Sequence, residues 1–259
     1  MTEKKSTYFP GYNTLSQTRE GSKLSKLKHA YREDGLVPAI KKAFTYTLCG
    51  ANYAMFNRSF SVDGARYNYF FNIYNSVVSE RVVEIPFTYE FVLKNSGRRI
   101  LEVGNVLSHY FPVSHEVVDK YEVGPHIFNV DIVDFDTESR YDLIVSISTM
   151  EHVGFDEPQK EGGKAKRAIL KVLSLLSTNG IAVITVPLGY NPEIDSIIAN
   201  GDVVFSKRYF LKRVSILNIW EETTMEDAMR FKYGQKYPAA NSVAMLVARP
   251  RKMAGPIGA

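Results

Sequence analysis

The sequence predicts an α/β protein with a Rossmann-like, mostly parallel sheet, an antiparallel end and a helical N-terminal extension. From residue 98 onward, short continuous apolar runs alternate with segments of helical periodicity, which is typical of strands buried in a parallel sheet. The first such run ends in Glu102 and Gly104, as strands do where a sheet meets a nucleotide-like ligand. The 259 residues, 45% of them hydrophobic, are enough for one large domain with an extension.

Two segments precede the sheet. Residues 1–35 are polar and basic, so we expect them to be loosely ordered. We expect residues 36–97 to form a helical extension, in which Pro86 ends one helix and begins the next. The evidence is a set of apolar residues at three- and four-residue steps, which predicts one helical face. These residues are Tyr67, Phe70, Phe71, Tyr74, Val77, Val78, Val82 and Ile85.

The α/β domain is expected to span residues 98–250, followed by a flexible tail at 251–259. Helices are predicted at 164–177, where Asn179 and Gly180 form the stop signal, and near 192–199. Two late strands are expected to form the antiparallel end of the sheet. The predicted strands lie at 100–103, 116–119, 128–131, 141–148, 181–186, 214–220 and 242–248.

Composition narrows the setting. No run of about 18 apolar residues is present, so no membrane-spanning helix is expected. The N-terminus lacks the apolar core of a signal peptide. Cys49 is the single cysteine, which excludes an internal disulfide and a zinc site built from cysteines alone. These features predict a cytoplasmic location. Asp156 and Glu157 do not have a recognised metal-site spacing, so no metal is predicted.

The positive charge of the chain is concentrated at its ends. Residues 1–42 carry nine Lys or Arg against four acids, while the whole chain has a net charge of +4. One interpretation is attraction to phosphate on a nucleic acid, a nucleotide-sugar or an anionic lipid. The other is a solvated arm, because nucleic-acid readers usually carry a denser basic face.

Polar residues follow the ends of the predicted parallel strands, where open sheets of this kind bind ligands. A carboxylate at Asp119 can accept hydrogen bonds from two ribose hydroxyls. Asp131 can accept from an adenine amino group while Ile132 covers the ring. This set suits a ribose-bearing ligand with no phosphate beside the acids. Its members are Glu102, Gly104, Asn105, Ser108, Asp119, Asp131, Ile132, Ser146 and Ser148.

From about residue 85 to 250, the chain resembles the class I S-adenosylmethionine-dependent methyltransferases. The resemblance rests on the segments ILEVGN, VVDKY, NVDIVDF and YDLIVSISTMEHVG, in that order. It implies S-adenosyl-L-methionine as cofactor, with Gly104 beside its methionine part. Asp119 would then hold the ribose and Asp131 with Ile132 the adenine, while Ser146 and Ser148 would line the floor.

The loop after the first strand departs from the family pattern. It holds one glycine where two or three are usual, and Pro112 leaves room for little more than one helical turn. A long helix dipole is therefore not expected to hold the methionine carboxylate. We expect Asn105, Ser108 and backbone amides to replace it with direct hydrogen bonds.

His152 and Tyr190 are the predicted catalytic residues. His152 follows the fourth strand and titrates near neutrality as a residue type, so it is the candidate base; the alternative is a packing role. Tyr190 lies where this fold meets its acceptor. Glu80, Arg81 and Glu84 either bind acceptor hydroxyls or pair with one another.

The segments GNVLSHY, STMEHVG and PLGYNP resemble methyltransferases of glycan and polysaccharide biosynthesis. The resemblance therefore implies O-methylation of a sugar or glycan intermediate. The alternatives are a nucleic-acid methyltransferase served by the basic N-terminus, and a non-catalytic methyltransferase-like binding module. Nicotinamide-dependent oxidoreduction is disfavoured, because GNVLSH lacks the later glycines that admit a pyrophosphate. The oligomeric state stays open.

Overall fold

The computed structural model describes residues 59–71 and 78–250, together with residues 44, 47–49, 51 and 55. The strands are β1 (Ser59–Val62), β2 (Ala65–Asn68), β3 (Ile100–Val103), β4 (Glu116–Val118), β5 (Ile127–Phe128), β6 (Tyr141–Ile147), β7 (Leu176–Pro187), β8 (Lys207–Arg213), β9 (Trp220–Thr223) and β10 (Ser242–Ala248). The helices are α1 (Arg81–Lys94), α2 (Lys164–Ser174), α3 (Pro192–Asn200) and α4 (Met225–Ala228), with 3₁₀ turns at Leu107–His109 and Ile132–Asp134.

Within the described residues, eight strands form one sheet in the order β5-β4-β3-β6-β7-β10-β8-β9. The pairs from β5 to β7 are parallel. Strand β10 runs antiparallel between β7 and β8, and β9 is antiparallel to β8. The predicted α/β class, with a mostly parallel sheet and an antiparallel end, is confirmed. The chain adds β4 and β5 on one side of β3 and then adds β6 on the other side. The order of strand addition therefore reverses between β3 and β6, while the strands stay parallel.

The central strands are buried on both faces, which explains their continuous apolar runs. All residues of β3 and β10 are buried, as is nearly all of β6. One core lies between the sheet and helices α2 and α3. The other lies between the opposite face, α1 and the β1–β2 hairpin. The loops at the carboxyl ends of β3 and β6 are therefore held by a sheet packed on both sides.

The predicted helix at 164–177 is too long by three residues. Helix α2 ends at Ser174 and β7 already begins at Leu176. The Leu175 carbonyl accepts a hydrogen bond from the Tyr141 amide at 2.9 Å, and Tyr141 pairs with Leu176 in the sheet. Strand pairing with a distant segment thus overrides the helical pattern of the local sequence.

The predicted helical face from Tyr67 to Ile85 is wrong in its first part. Tyr67 lies in β2, which forms an antiparallel hairpin with β1 around Asp63 and Gly64. Both turn residues have positive φ, 52° and 71°, as expected for an Asp-Gly hairpin turn. The aromatic residues of this hairpin, Phe60 and Tyr67, stack on each other with ring centroids 5.4 Å apart.

Pro86 does not end a helix as predicted, because α1 continues through it. A proline in a helix leaves the carbonyl four residues earlier without its usual donor. Here that carbonyl belongs to Val82, and it accepts from the Phe70 amide at 2.9 Å. A residue just beyond the hairpin therefore replaces the missing donor, which sequence periodicity could not reveal.

The predicted strand at 214–220 is also wrong. Residues 214–219 form the turn between β8 and β9, where the Val214 amide donates to the Ile219 carbonyl at 2.8 Å. Asn218 has a φ of 58° in this turn. Residues 1–43 and 251–259, with the predicted basic segment and tail, lie outside the described residues. In the described part of the chain, no helix combines the length and hydropathy needed to cross a membrane.

Arg213, at the end of β8, joins three segments near the start of α1. Its side chain is buried, with the residue 1% exposed. Nη1 donates to the carbonyls of Val78 at 2.8 Å and Pro238 at 2.9 Å. Nε and Nη2 donate to the carbonyls of Ser215 and Ile216 at 3.1 and 3.0 Å. One cation thus satisfies four main-chain acceptors.

Arg213→Met is expected to lower the free energy of unfolding by roughly 3–5 kcal/mol, because buried carbonyls lose their charged donor. Urea unfolding followed by circular dichroism measures the change. Arg213→Lys should recover part of it. The control is Arg230→Met, whose ion pair with Glu226 is exposed and should matter by less than about 0.5 kcal/mol. Equal stability of Arg213→Met and Arg230→Met would contradict this account.

Candidate active site

A cavity of about 330 Å³ opens at the carboxyl ends of β3, β4 and β6. It lies beside the point where the order of strand addition reverses, between β3 and β6. This is the place where open α/β sheets bind ligands. Of the predicted site residues, it brings together Gly104, Asp119, Asp131, Ile132 and His152. Its remaining walls are Val103, Val118, Lys120, Tyr121, Val130, Thr149, Val153, Asp156 and Glu157.

Gly104 is required where the β3 and β6 loops meet. Its φ is +83°, and a Cβ built on it would lie 2.2 Å from Thr149 Oγ1 and 2.6 Å from Thr149 Cγ2. Any larger residue would therefore be strained by its backbone and would collide with Thr149. The two loops approach so closely only because the first supplies no side chain. Thr149 had no sequence signal beyond its place in STMEHVG.

Glu102 does not line the cavity. Its carboxylate is fully buried (0% exposed), and Oε1 accepts from the amides of Val106 and Leu107 at 2.9 and 2.7 Å. Oε2 lies 2.8 Å from His115 Nε2. Glu102 thus holds the loop after β3 from inside the protein. The predicted cofactor contact is replaced by a structural one.

Asn105 and Ser108 also face other loop residues and do not line the cavity. Ser108 Oγ donates to Asn105 Oδ1 at 2.5 Å, and Asn105 Nδ2 donates to Glu122 Oε2 at 2.7 Å. His109 Nε2 lies 3.2 Å from the other oxygen of Glu122. These contacts join the loop after β3 to the loop after β4. The side chains of Asn105 and Ser108, which were predicted to bond a ligand directly, are thus engaged with other loop residues.

Asp119 lines the cavity but already accepts three main-chain hydrogen bonds. Oδ2 accepts from the Asn105 amide at 2.9 Å. Oδ1 accepts from the amides of Tyr121 and Glu122 at 2.8 and 2.7 Å. Because an ionised carboxylate has about four acceptor positions, one position on Oδ2 remains for a ligand hydroxyl. Asp119 thus both shapes its loop and faces the cavity.

Asp131 belongs to a closed network of two acids and two lysines. Its Oδ2 lies 3.0 Å from Lys120 Nζ and 2.8 Å from Lys164 Nζ. Both lysines also contact Glu157, at 3.0 and 2.7 Å. Desolvation raises the pKa of Asp131, but the hydrogen bonds from Lys164 and Lys120 outweigh it and hold the pKa below its ordinary value.

This network changes the expected role of Asp131. Oδ1 accepts from the Val133 amide at 3.2 Å, so both oxygens have protein donors. Ile132 lies beside it on the cavity wall, where it was expected to cover a ring. An adenine amino group would have to share Asp131 with the lysines. Lys120 is a lining residue that sequence reasoning missed, although it directly follows the predicted ribose acid.

Ser146 and Ser148 lie outside the cavity lining. Ser146 is fully buried within β6, and its Oγ has no hydrogen-bond partner among the described residues. Ser148 has a φ of 40° and donates to both oxygens of Glu84, at 2.7 and 2.8 Å. Ser148 therefore connects the end of β6 to helix α1 and does not form the predicted floor.

His152 lines the cavity and is oriented by Asp156. Its Nδ1 is hydrogen-bonded to Asp156 Oδ2, which also accepts from the Tyr190 hydroxyl at 2.6 Å. Desolvation raises the pKa of Asp156, but hydrogen bonds from Tyr190 and His152 outweigh it and lower the pKa below its ordinary value. The ionised carboxylate favours the tautomer with a proton on Nδ1, which leaves Nε2 as the acceptor. The predicted catalytic pair is thus joined by an acid that the sequence pattern did not assign.

Asn191 holds the loop that carries Tyr190. Its side chain caps α3 by accepting from the Glu193 amide at 2.9 Å, as its position before Pro192 suggests. It also donates to the Glu151 carbonyl at 2.8 Å. The cap therefore ties the loop after β7 to the loop after β6 and places Tyr190 beside Asp156.

Two buried acids lie behind His152. Glu84 and Glu151 are 0% and 1% exposed. Desolvation raises the pKa of Glu84 to about 7, with Arg81 opposing the rise and Glu80 adding to it. Desolvation, followed by the charge of Glu84, raises the pKa of Glu151 well above its ordinary value. Among the described residues, no three His, Cys, Asp or Glu side chains are arranged to hold a metal ion.

Known proteins offer only distant similarity. No family model matches the sequence, and no curated relative does. Among solved structures, the chain is similar to the N-methyltransferase NodS from Bradyrhizobium japonicum WM9, in complex with S-adenosyl-L-homocysteine (15% identity, 80% of this chain and 99% of that chain, TM-score 0.40). It is also similar to an rRNA methylase from Streptococcus thermophilus (12%, 65% and 97%, 0.38). A third is the sugar N-methyltransferase KedS8 from Streptoalloteichus sp. ATCC 53650 (12%, 64% and 87%, 0.32). Similarity this low carries no argument about activity or substrate.

Gly104→Ala is expected to destabilise the protein through both its backbone and its collision with Thr149. Gly97→Ala is the matched control, because Gly97 has a φ of +80° with nothing within 4 Å of an added Cβ. The loss for Gly104→Ala should exceed that for Gly97→Ala by about 1–3 kcal/mol, the usual cost of overpacking. Urea unfolding measures both. Equal losses of unfolding free energy in the two variants would show that the loops after β3 and β6 can move apart without cost.

The raised pKa of Glu84 predicts that the free energy of unfolding falls as pH rises. Its folded pKa of about 7 lies above the ordinary value of 4.5, so the folded state binds the extra proton between these pH values. The stabilisation by this bound proton is complete below about pH 4.5 and is lost as pH rises through about 7. Glu84→Gln should therefore gain stability relative to wild type across that window, by up to about 3 kcal/mol.

Unfolding free energies measured from pH 4.5 to 8 give this difference directly. Glu226→Gln, on an exposed side chain, is the control and should keep the wild-type pH slope. An unchanged slope in Glu84→Gln would mean that Glu84 is ionised in the folded protein throughout the range.

Proposed function

We propose that this protein is an S-adenosylmethionine-dependent methyltransferase. The observation that carries the proposal is the cavity at the carboxyl ends of β3, β4 and β6, where the order of strand addition reverses. It combines a glycine that lets the loops after β3 and β6 meet at its edge, a carboxylate with one open acceptor position, and an apolar wall. These are Gly104, Asp119 and Ile132 with its neighbours. Such a cavity suits a nucleoside whose ribose hydroxyls meet an acid.

The charges of the lining support a cationic ligand over a phosphorylated one. Asp119, Asp131, Asp156 and Glu157 line the cavity, against Lys120 as the one lysine in that lining. Lys120 is itself held by Asp131 and Glu157. A sulfonium group is compatible with this field, whereas a pyrophosphate would be repelled.

The loop after β3 also disfavours a dinucleotide. It contains the 3₁₀ turn Leu107–His109 and no α-helix, so no helix N-terminus is aimed at the cavity from this loop. The amides of Val106 and Leu107 are already bound by Glu102. The loop thus lacks the free donors with which Rossmann proteins bind a pyrophosphate.

His152 is the proposed base. When bound, S-adenosylmethionine supplies a methyl group already activated by its sulfonium. The protein must align the acceptor and remove its proton where the acceptor is a hydroxyl. Asp156 holds Nδ1 of His152, which leaves Nε2 to accept that proton. Tyr190, bonded to the same carboxylate, is proposed to contact the acceptor.

For the acceptor, we propose an oxygen of a sugar or glycan intermediate. The support is the sequence resemblance of the segments around Gly104, His152 and Tyr190, together with a base suited to a hydroxyl. The support for a nucleic-acid acceptor is the positive charge of residues 1–42, which lie outside the described residues. The remaining alternative is a binding module without turnover. The binding and methyl-transfer experiments below distinguish it from an enzyme.

Calorimetric titration with S-adenosylhomocysteine tests the cofactor proposal, with NADH as the comparison ligand. We expect saturable binding of the first and none of the second. Asp119→Asn should weaken binding by about tenfold to a hundredfold, since hydrogen bonds to charged groups contribute about 1.5–3 kcal/mol. Asp136→Asn, on an exposed residue of the same region, should bind like wild type. Thermal unfolding checks that Asp119→Asn still folds.

No binding of S-adenosylhomocysteine would overturn the proposed function. Methyl transfer from labelled S-adenosylmethionine to a panel of sugars, glycans and RNA then identifies the acceptor. Binding without transfer to any acceptor would favour the binding module.

A further inference from the structure

Three acids lie together on the side of the His152 loop that faces helix α1. Glu80 and Glu84 come from the start of α1, and Glu151 comes from the loop after β6; we call them the acid cluster. All three are buried. Burying a carboxylate costs several kcal/mol unless it is paired, so three buried acids in one place need an explanation.

The acid cluster is incompletely neutralised by the described residues. Arg81 is the cation whose charge opposes the pKa rise of both Glu84 and Glu151, and its Nη1 donates to the Ile147 carbonyl at 3.0 Å. Glu84 accepts from Ser148, and Glu80 accepts from the Ala240 amide at 3.1 Å. Three acids therefore share one guanidinium.

Glu151 is the member without a hydrogen bond. Both of its carboxylate oxygens are buried, and neither has a hydrogen-bond partner among the described residues. The Nε2 atom of His152 lies 3.5 Å from Oε1. The charge of Glu84 adds to the rise in the pKa of Glu151, and Ser148, which donates to Glu84 at 2.7 Å, lies three residues before Glu151 in the same loop. A buried polar group in this state indicates a missing partner.

Aromatic rings border the cluster. Tyr190 contacts His152, Phe155 and Tyr233 edge-on, with ring centroids 5.1, 5.7 and 4.9 Å apart. Desolvation raises the pKa of Tyr233 to about 12, and the charges of Glu80, Glu151 and Glu84 add to the rise. Tyr233 thus lies in the field of all three acids. It is also 36% exposed, so the aromatic border reaches solvent.

We propose that the acid cluster and its aromatic border bind a protonated amine on the acceptor. Carboxylates supply the opposite charge, and aromatic faces attract a cation. An organic cation fits better than a metal ion, because no described group of His, Cys, Asp or Glu is arranged to hold one. This inference rests on the proposed function and narrows its acceptor to an amine-bearing sugar or similar compound.

The cluster lies next to the proposed reaction centre. Thr149 and His152 line the cofactor cavity, and Glu151 lies between them in the chain. An amine held at Glu151 would bring a neighbouring hydroxyl of the same molecule toward His152. The acid cluster would then position the acceptor, while His152 accepts the proton.

The test uses three matched probes with the full chain saturated with S-adenosylhomocysteine: glucosamine, glucose and N-acetylglucosamine. They share a pyranose ring, and glucosamine alone is cationic. Saturation-transfer NMR and calorimetry should detect glucosamine with an affinity at least about tenfold above the two neutral sugars, a difference of about 1.4 kcal/mol. Glu151→Gln and Glu84→Gln should each remove this preference. Glu226→Gln, on an exposed side chain, should keep it.

Charge linkage gives a second readout. The ionisable groups that interact with Glu151 are Glu80, Arg81, Glu84, His152, Tyr190 and Tyr233. Binding of the ammonium favours ionised acids, so glucosamine should release protons. Calorimetry in buffers of different ionisation enthalpy measures this release, which should be lost in Glu151→Gln.

Failure of the two proposals can be told apart. Absent binding of S-adenosylhomocysteine overturns the proposed function. If S-adenosylhomocysteine binds but glucosamine does not, or binds no better than glucose, the amine site is overturned alone. A glucosamine preference that survives in Glu151→Gln also overturns it.

Discussion

The buried carboxylate of Glu102 determines the shape of the cofactor-side loop. It binds two loop amides and His115 at once, so the loop after β3 can turn sharply without a helix. Families that bind nucleotides here usually leave such amides free for the ligand. In this protein the amides of Val106 and Leu107 are bound internally, and recognition shifts to side chains. The role of Gly104 is then to allow Thr149 to pack closely against the backbone of this loop.

Negative charge dominates both proposed binding surfaces. In the cavity, the acids are balanced in part by Lys120 and Lys164, which join Asp131 to Glu157. Behind His152, neither carboxylate oxygen of Glu151 has a hydrogen-bond partner among the described residues, and His152 Nε2 lies 3.5 Å from Oε1. The two surfaces share the loop after β6, so a cationic cofactor and a cationic acceptor would bind on opposite sides of one short segment.

Sequence patterns succeeded where one local signal dominates. The strand Ile100–Val103 and the strand Ser242–Ala248 were predicted at their observed bounds, because a strand buried on both faces is mostly apolar. They failed where a distant partner decides the structure. Pro86 stays inside α1 because the Phe70 amide binds the Val82 carbonyl, and β7 begins at Leu176 because Tyr141 of β6 pairs with it. The hairpin at Asp63-Gly64 did carry a turn signal, but aromatic periodicity obscured it.

The sequence by itself determined the class of fold, the order of the parallel strands along the chain and the edge of the sheet where polar residues gather. It did so because periodicity and strand-end residues are local properties. The tertiary structure alone decided which polar residues face the cavity. Gly104, Asp119 and His152 do, whereas Glu102 and Ser148 bind other parts of the protein. A side chain's direction depends on which donors its neighbours bring within about 3 Å, and those neighbours come from distant parts of the chain.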